Sequence, residues 1–424
     1  MRYVLLLSLI FPLLALSPAR GEPLPGNEKR LEMLFSELLN EYKEAQKLDG
    51  GNLLTEGDIL VEKAESYYAV TLPSLSFVST EGARTDIGII AINAMPENNQ
   101  WKMTVALPSP IKVFDPSGNE IFDITIKSQS FVGIWHETFK NFMKFDAHYK
   151  DLRIDNKPDI MDFLLPDLKA HYYLKQIKYG TCTGPATFLI KDLFTSFRDT
   201  DTTVRIEKTA MKTNIYNYDF DEVMAYQEKI NALSESYESN DKTSDNPAHL
   251  IALYNLITGF LGKAWDGFDF QSQLENIHIN TPAKDDKPAQ KYVMRNVTFG
   301  MVMKGFRQND VTFGINTAYS GFTPGSEDLT DSEKKLAPQR IKMDMQLNHL
   351  PYKDLVKLGR DGLTKSTDNP DAAKLVGLQS LMMLPKLLTD SGATLSVKDS
   401  YIGNDDYNFF MDAAVIADIS AVKG

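Results

Sequence analysis

The apolar residues of the chain follow two periods, which predict helices and strands in turn. Between Asn27 and Leu48 they recur every three or four residues, which is typical of an amphipathic helix. Asn27 is a suitable N-cap, and Asp49-Gly50-Gly51 is a stop signal. From about residue 53 to 155 the period changes to two, with short turns such as Asp115–Asn119. This region is therefore predicted to be a run of antiparallel strands.

Helical spacing returns in the middle of the chain, at 223–237 and again at 248–265. The second segment is strongly apolar, but it contains His249, Asn255 and Lys263. We therefore expect it to cover a core rather than to span a membrane.

The last third of the chain again has apolar residues at every second position, and each stripe predicts a strand with one buried face. Two helices are predicted within this region, at about 352–360 and 370–389, the second interrupted by Pro385. A closing hairpin turns at 403–406. The stripes comprise Val297, Phe299, Met301 and Met303; Val311, Phe313, Ile315, Thr317 and Tyr319; Ile341, Met343, Met345 and Leu347; Leu395 and Val397; and Phe409, Met411, Ala413 and Val415.

This order of elements predicts an α+β, β-rich fold of antiparallel strands in two related halves, 22–218 and 219–424. The seam is expected within about 195–245, and the polar run 234–246 is the best linker candidate. Whether the halves share one sheet stays open. No short-period repeat is present, so solenoids and propellers are not expected.

The N-terminus has the features of a cleaved secretory signal. Arg2 precedes an apolar run from Val4 to Leu16, which is shorter than the ~20 residues that a bilayer-spanning helix needs. We predict a signal at 1–21, with cleavage after Gly21 or Ala19, and a periplasmic or secreted protein without a stable transmembrane anchor. An uncleaved N-terminal anchor is the alternative.

Charge and composition restrict the partners. The chain has 57 acidic and 45 basic residues, for a net charge of −12, which disfavours nucleic acid and anionic membrane surfaces. Its 43% hydrophobic residues are typical of a globular protein. Because Cys182 is the only cysteine, no intramolecular disulfide can form and the apolar core must stabilise the fold.

One local motif suggests chemistry. The segment Gly180-Thr181-Cys182-Thr183-Gly184 resembles the nucleophile elbow of α/β-hydrolases with Cys in place of Ser. An elbow needs a strand before it and a helix after it, and Pro185 could begin that helix. Phe188-Leu189-Ile190 is equally typical of a strand. The interpretations are a thiol-dependent hydrolase that uses Cys182, or a small buried thiol beside a glycine-rich turn.

Other signals of chemistry are weak. No two of the six histidines have the close spacing of zinc ligands. Residues 115–126 resemble a calcium loop, but they lack the glycine and the closing glutamate of that motif, so we interpret them as a hairpin turn. No phosphate-binding loop is present. We therefore predict no catalytic, metal-binding or cofactor-binding residue, no cofactor, and a protein that is not an enzyme.

The sequence is rich in soft apolar residues, with 16 methionines and 23 phenylalanines. Methionine fills irregular cores and also lines surfaces that accept variable apolar ligands. The stripes therefore predict either ordinary core packing or a sheet face that holds lipid chains. A fourteen-carbon acyl chain would gain on the order of 11 kcal/mol on full burial, at ~0.8 kcal/mol per methylene.

The segments RIKMDMQLNHLPYKDLV (340–356) and 391–424 combine an alternating strand, a short helix and a final hairpin. This pattern is similar to the C-terminal region of exported bacterial proteins related to the AsmA-like group. The resemblance implies a long, twisted antiparallel sheet with amphipathic helices packed against it, and a role with lipid or the cell envelope. It transfers no functional residue. We therefore expect a soluble periplasmic protein that binds an apolar, lipid-like ligand or an envelope partner; the alternatives are the Cys182 hydrolase and a structural envelope component.

Overall fold

The computed structural model describes most of the chain from Asn27 to Ala417. The predicted signal, 1–21, and part of the predicted helix at 370–389 lie outside the described residues. The described ranges are 27–48, 51–97, 100–157, 160–178, 180–239, 247–284, 288–325, 329–368 and 382–417.

Strands dominate the fold, as the alternating pattern predicts. The labelled helices are α1 (Asn27–Leu48), α2 (Phe220–Ser239), α3 (Pro247–Lys263), α4 (Asp331–Leu336) and α5 (Tyr352–Asp368). Residues 382–390 are also helical. The strands are β1 (Asn52–Glu56), β2 (Leu60–Lys63), β3 (Tyr68–Thr71), β4 (Ser74–Val78), β5 (Arg84–Gly88), β6 (Ala91–Glu97), β7 (Gln100–Ala106), β8 (Ile111–Phe114), β9 (Glu120–His136), β10 (Asn141–Asn156), β11 (Met161–Tyr173), β12 (Lys175–Lys178), β13 (Thr181–Phe197), β14 (Thr202–Asp219), β15 (Gly267–Thr281), β16 (Gln290–Lys304), β17 (Val311–Ser320), β18 (Arg340–Leu350), β19 (Thr394–Gly403) and β20 (Asn408–Ile416).

All 20 strands belong to one antiparallel sheet. From β9 to β20 the chain forms a meander in which each strand pairs with the next, except that β11 and the short β12 both pair with β13. The other edge of β9 carries two arms, β8–β5–β4–β1 and β7–β6–β3–β2. Since β14 pairs with β15 across the predicted linker, the two predicted halves share one sheet. The α+β, β-rich fold class is confirmed.

The main core lies in the first half of the sheet. The two arms and the first strands of the meander enclose it, and α1 packs against β1 and β2. The predicted apolar stripe of α1 is buried there, including Leu31, Phe35 and Leu38. Lys140, whose side chain is 4% exposed, joins α1 to the β9–β10 hairpin through Glu37 (3.1 Å) and Glu41 (2.9 Å).

The larger helices gather at one end of the second half. α2 and α3 connect β14 to β15, while α5 and 382–390 lie between β18 and β19, and antiparallel pairing places both connections at the same strand ends. Tyr352 Oη donates to the Thr258 carbonyl at 2.6 Å, and Tyr254 Oη donates to the Val356 carbonyl at 3.0 Å, so α3 and α5 hold each other.

Two helical predictions need correction. α5 extends to Asp368 instead of ending near 360. Pro385 lies within helical residues 382–390 rather than interrupting them; a proline is tolerated in a helix where its missing N–H is not needed. None of the described helices is both long and apolar enough to cross a membrane.

Candidate apolar binding surface

The strand register aligns the predicted stripes on one side of the sheet. Residues directly opposite each other in paired strands share a face. Met301 pairs with Ile315, Ile315 with Met345, and Met345 with Val397. We call this side of β14–β20 the apolar face. Its residues include Val204, Ile206 and Met211; Phe270, Leu274, Ile277 and Ile279; Val297, Phe299, Met301 and Met303; Phe313, Ile315 and Tyr319; Ile341, Met343, Met345 and Leu347; Leu395 and Val397; and Phe409, Met411, Ala413 and Val415.

The apolar face continues the side of the sheet that carries the main core. One row of paired residues runs from buried Leu168 in β11 through Ile190 and Thr209 to Leu274. The same row continues through Val297 and Tyr319 to Ile341 in β18, as the pairings of β15 to β18 show. One side of the sheet is therefore apolar from the core to β20.

Coverage of this side changes along the sheet. Leu168 is 2% exposed in the first half, whereas Met345, Phe299 and Leu395 in the second half are 36%, 40% and 41% exposed. Among the described helices, α1 contacts β1 and β2, and α2 contacts β14. The sequence predicted one buried face for each of these strands. Most of that face is only half-buried and part of it is exposed, because the described helices do not pack over β15–β20.

The opposite side of strands β14–β19 is mostly polar. Asp269 accepts hydrogen bonds from Asn214 Nδ2 at 2.7 Å and from Tyr216 Oη at 2.5 Å. Burial, followed by this contact with Asp269, raises the pKa of Tyr216 to about 12. Lys208 pairs with Glu275 at 2.7 Å on the next strand. Since its polar groups satisfy one another and meet solvent, this side needs no apolar partner, and the two sides differ sharply in character.

A transverse kink, which sequence analysis did not predict, keeps the apolar side continuous. In seven strands, β9–β11 and β13–β16, consecutive residues of the apolar side are three positions apart at one place instead of two. We call this line the crease. The residue pairs that flank it are Ile126/Gln129, Tyr149/Leu152, Leu165/Leu168, Ile190/Leu193, Ile206/Thr209, Leu274/Ile277 and Met294/Val297.

Left-handed residues form the crease in alternate strands. Asp151, Asp192 and Asn276 have φ values of 48°, 55° and 52°. Asp and Asn adopt this conformation more readily than other residues with a Cβ. The single left-handed residue shifts the alternation, so that apolar residues on both sides of it reach the same face. The only signal in the sequence is an Asp or Asn at the place where the period of two is broken.

A second apolar surface lies between α2 and α3. A groove of about 660 Å³ is lined by side chains of both helices, with Tyr226 and Ile230 on α2 and Leu253, Ile257 and Phe260 on α3. Leu253 and Ile257 are exposed. The strongly apolar helix at 248–265, which was predicted to cover a core, therefore presents apolar residues to solvent as well as to its neighbours.

A small apolar cavity lies inside the main core, under α1. It has a volume of about 90 Å³, and its walls include Phe35, Ile90, Val105 and Trp135. Engineered apolar cavities of roughly 150 Å³ can hold a ring the size of benzene. This cavity is smaller than that, so we treat it as a packing defect of the core and not as the ligand site.

The Cys182 motif has a structural explanation. Cys182 is fully buried, and burial followed by the nearby Asp219 raises the pKa of its thiol to about 11. Gly180 has a φ of 75° at the turn, and a Cβ on Gly184 would lie 1.8 Å from the Tyr173 carbonyl oxygen. Both glycines are thus required by the backbone. The residues after Cys182, including Pro185, continue β13 and form no helix, so the geometry gives the hydrolase no support.

The polar motifs that the sequence suggested are turns. Asp115 accepts hydrogen bonds from Ser117 N, Asn119 N and Asn119 Nδ2, and these bonds lower the pKa of its carboxyl. The turn after β19 is closed by Asn404, which accepts from the backbone of Asp406. Within the described parts of the chain, no group of three or more His, Cys, Asp or Glu side chains could hold a metal ion.

Comparisons of the chain with known protein families, with curated proteins and with solved structures found no match. The function must therefore be inferred from the chain's own surfaces.

Proposed function

We propose that this protein is a non-catalytic periplasmic or secreted protein that binds the acyl chains of a lipid-like ligand on its apolar face. The observation that carries the proposal is the continuity of that face with the core, combined with its partial exposure across β14–β19 and its full exposure at β20. The predicted signal at 1–21 supports export, and the resemblance to AsmA-like proteins supports an envelope role.

The chemistry of the face favours hydrocarbon over a peptide. Its side chains are mostly Met, Phe, Ile, Leu and Val, which offer no hydrogen bond to the backbone of an extended peptide. Methionines such as Met301, Met343 and Met345 adapt to ligands of variable shape. A flexible acyl chain needs this kind of surface, because its only favourable interaction is the removal of methylenes from water.

The size of the face sets the expected affinity. Seven strands at a spacing of ~4.8 Å make a surface about 29 Å across. A fourteen-carbon chain lying on an open face buries about half of its surface and gains roughly 5 kcal/mol, at ~0.8 kcal/mol per fully buried methylene. Two chains of one lipid would gain about 10 kcal/mol, and association costs at least ~4 kcal/mol in translational and rotational freedom, so we expect a Kd of tens of micromolar or weaker.

The test is a titration of the delipidated full chain with a fluorescent stearic acid analogue. Met345→Asp places a carboxylate on the apolar face, and Gln346→Asp places the same carboxylate on the neighbouring residue of β18, which points to the polar side. We expect Met345→Asp to weaken binding about tenfold, equivalent to ~1.4 kcal/mol. Gln346→Asp should bind like the wild type.

Two results would contradict the proposal. One is the absence of saturable binding to the wild type together with no lipid in a mass-spectrometric extract of the purified protein. The other is an equal loss of binding in both variants. If no lipid is found, and binding to the apolar face instead protects another protein from proteolysis, the occupant is an envelope protein and not a lipid.

A further inference from the structure

The sheet ends at strands of two different kinds. Within the described residues, β1, β2, β20 and the 4-residue β12 each pair on one side only. β1 and β2 have 5 and 4 residues, and α1 packs against both. Short, covered edges of this kind do not attract further strands. β20 is different, because it has 9 residues and all of them are exposed.

β20 has the composition of a central strand. Phe409, Met411 and Val415 point to the apolar face, whereas Phe410 and Ile416 point to the other side. Phe410, Val415 and Ile416 are 77%, 66% and 63% exposed. Strands that are apolar on both faces are normally buried in the interior of a sheet. Edge strands are normally guarded by lysine, proline, bulges or short length.

We propose that β20 pairs antiparallel with β20 of a second copy, forming a two-fold symmetric dimer. Antiparallel pairing about a two-fold axis perpendicular to the sheet keeps each face on its own side. The apolar faces of the two copies then join into one surface. An isologous interface is the commonest arrangement of homodimers.

Charge and size select one register for this pairing. When Ala413 faces Ala413 of the second copy, the single charged residue, Asp412, faces Ala414. The remaining pairs are Met411 with Val415, Phe410 with Ile416 and Phe409 with Ala417.

Other registers are less favourable. The register centred on Asp412 places two aspartates directly opposite each other, which is destabilising. The register centred on Ala414 pairs only residues 412–416 of β20. The register centred on Met411 pairs as many residues of β20 as the one centred on Ala413, but it places the charged Asp412 opposite Phe410. Self-complementarity in the register centred on Ala413 is the reason to prefer a second copy over an unrelated strand.

The single buried cysteine makes this register testable by cross-linking. Ala413→Cys places two thiols on opposite residues, whose Cβ atoms are ~4.5–5.5 Å apart in an antiparallel pair. The wild type is the negative control for cross-linking, because its only cysteine, Cys182, is buried. Leu60→Cys on the exposed edge β2 and Met345→Cys on the apolar face are matched controls. We expect Ala413→Cys to form a disulfide-linked dimer at least tenfold faster than either control under mild oxidation.

A second variant tests the interface without a cross-link. Val415→Lys adds an edge-guarding charge opposite Met411, and Leu60→Lys makes the same kind of change on β2. By analytical ultracentrifugation, the wild type and Leu60→Lys should have about twice the mass of the chain, and Val415→Lys should have the mass of one chain. Circular dichroism checks that each variant is folded.

Three results would overturn the proposal. The first is a wild type that stays monomeric at tens of micromolar. The second is cross-linking of Leu60→Cys or Met345→Cys as fast as Ala413→Cys. The third is a folded Val415→Lys that remains dimeric. None of these assays contains lipid, so their failure is separate from the failure of the acyl-chain proposal.

Discussion

The crease makes a quantitative prediction at Asn276. This residue lies in the middle of β15 with a φ of 52°, and its Nδ2 donates to Glu207 Oε2 at 2.6 Å. A β-branched side chain in the left-handed conformation costs about 1–2 kcal/mol. Loss of the exposed, charge-assisted hydrogen bond adds roughly 0.5–1 kcal/mol. We therefore expect Asn276→Val to lower the free energy of unfolding by about 1.5–3 kcal/mol.

Two control variants separate strain from the other effects of the substitution. Asn276→Gly loses the same hydrogen bond but tolerates positive φ, so its stability should stay within about 1 kcal/mol of the wild type. Gln271→Val makes a similar change at an exposed position of the same strand where φ is ordinary. It should be neutral within about 0.5 kcal/mol, because valine suits a strand.

The assay is chemical denaturation of the full chain, followed by tryptophan fluorescence and by far-ultraviolet circular dichroism. The reasoning about the crease is wrong if Asn276→Val and Asn276→Gly have the same stability, since the left-handed backbone then carries no strain. It is also wrong if Gln271→Val is as destabilised as Asn276→Val, since β15 then rejects valine for a reason unrelated to φ.

Three further predictions concern the core. Lys140→Ala should lower the free energy of unfolding by about 1–2 kcal/mol, because it removes the cation that holds two half-exposed glutamates of α1; hydrogen exchange in α1 measures the loosening. Val105→Ile should fill part of the 90 Å³ cavity and stabilise by about 0.5–1 kcal/mol in thermal denaturation, whereas Val113→Ile, which does not line the cavity, should destabilise. Because the pKa of Cys182 is raised in the folded state, the thiol stays protonated there between pH 9 and about 11, while it ionises in the unfolded state. The difference in free energy of unfolding between the wild type and Cys182→Ala should therefore be constant below pH 9 and shift against the wild type as the pH rises to about 11. Curves of unfolding free energy against pH that stay parallel across that range would contradict this.

The strands and their faces could be predicted because burial imposes a period of two. Met301, Ile315, Met345 and Val397 stand on separate predicted strands, and each was assigned to the apolar side of its strand. Their mutual pairing follows once neighbouring strands are antiparallel and connected in order. The register itself depends on turn geometry and on the crease, neither of which the period reveals.

Exposure of the apolar face could not be predicted for a different reason. The same alternation appears in β9, whose Ile124 is buried, and in β18, whose Met345 is not. The alternation in a strand indicates which of its sides is apolar, but not whether another element covers that side. In the first half, α1 and the two arms provide the cover, and in the second half the helices gather at the strand ends.

The Cys182 motif shows the converse limit. Gly180 and Gly184 are spaced as a nucleophile elbow requires, yet each has a backbone reason for being glycine. Gly180 has a positive φ, and a Cβ on Gly184 would clash with the Tyr173 carbonyl oxygen. A five-residue motif of this kind can belong to a nucleophile elbow or to an ordinary turn that leads into a strand, and only the element after Pro185 distinguishes the two. That element is a strand, because the pattern around Phe188-Leu189-Ile190 continues the sheet.

The apolar side of the sheet differs in character between its two ends. At the end near β9 the chain supplies its own cover, so the side becomes a core that stabilises the fold. At the β20 end the same side reaches an unguarded edge, with Phe409 and Val415 exposed. Apolar area left in water forgoes about 25 cal/mol of stabilisation for each Å² that could have been buried. A sequence that maintains this area across seven strands, and preserves its alignment through Asp192 and Asn276 at the crease, is best explained if the area is occupied when the protein functions.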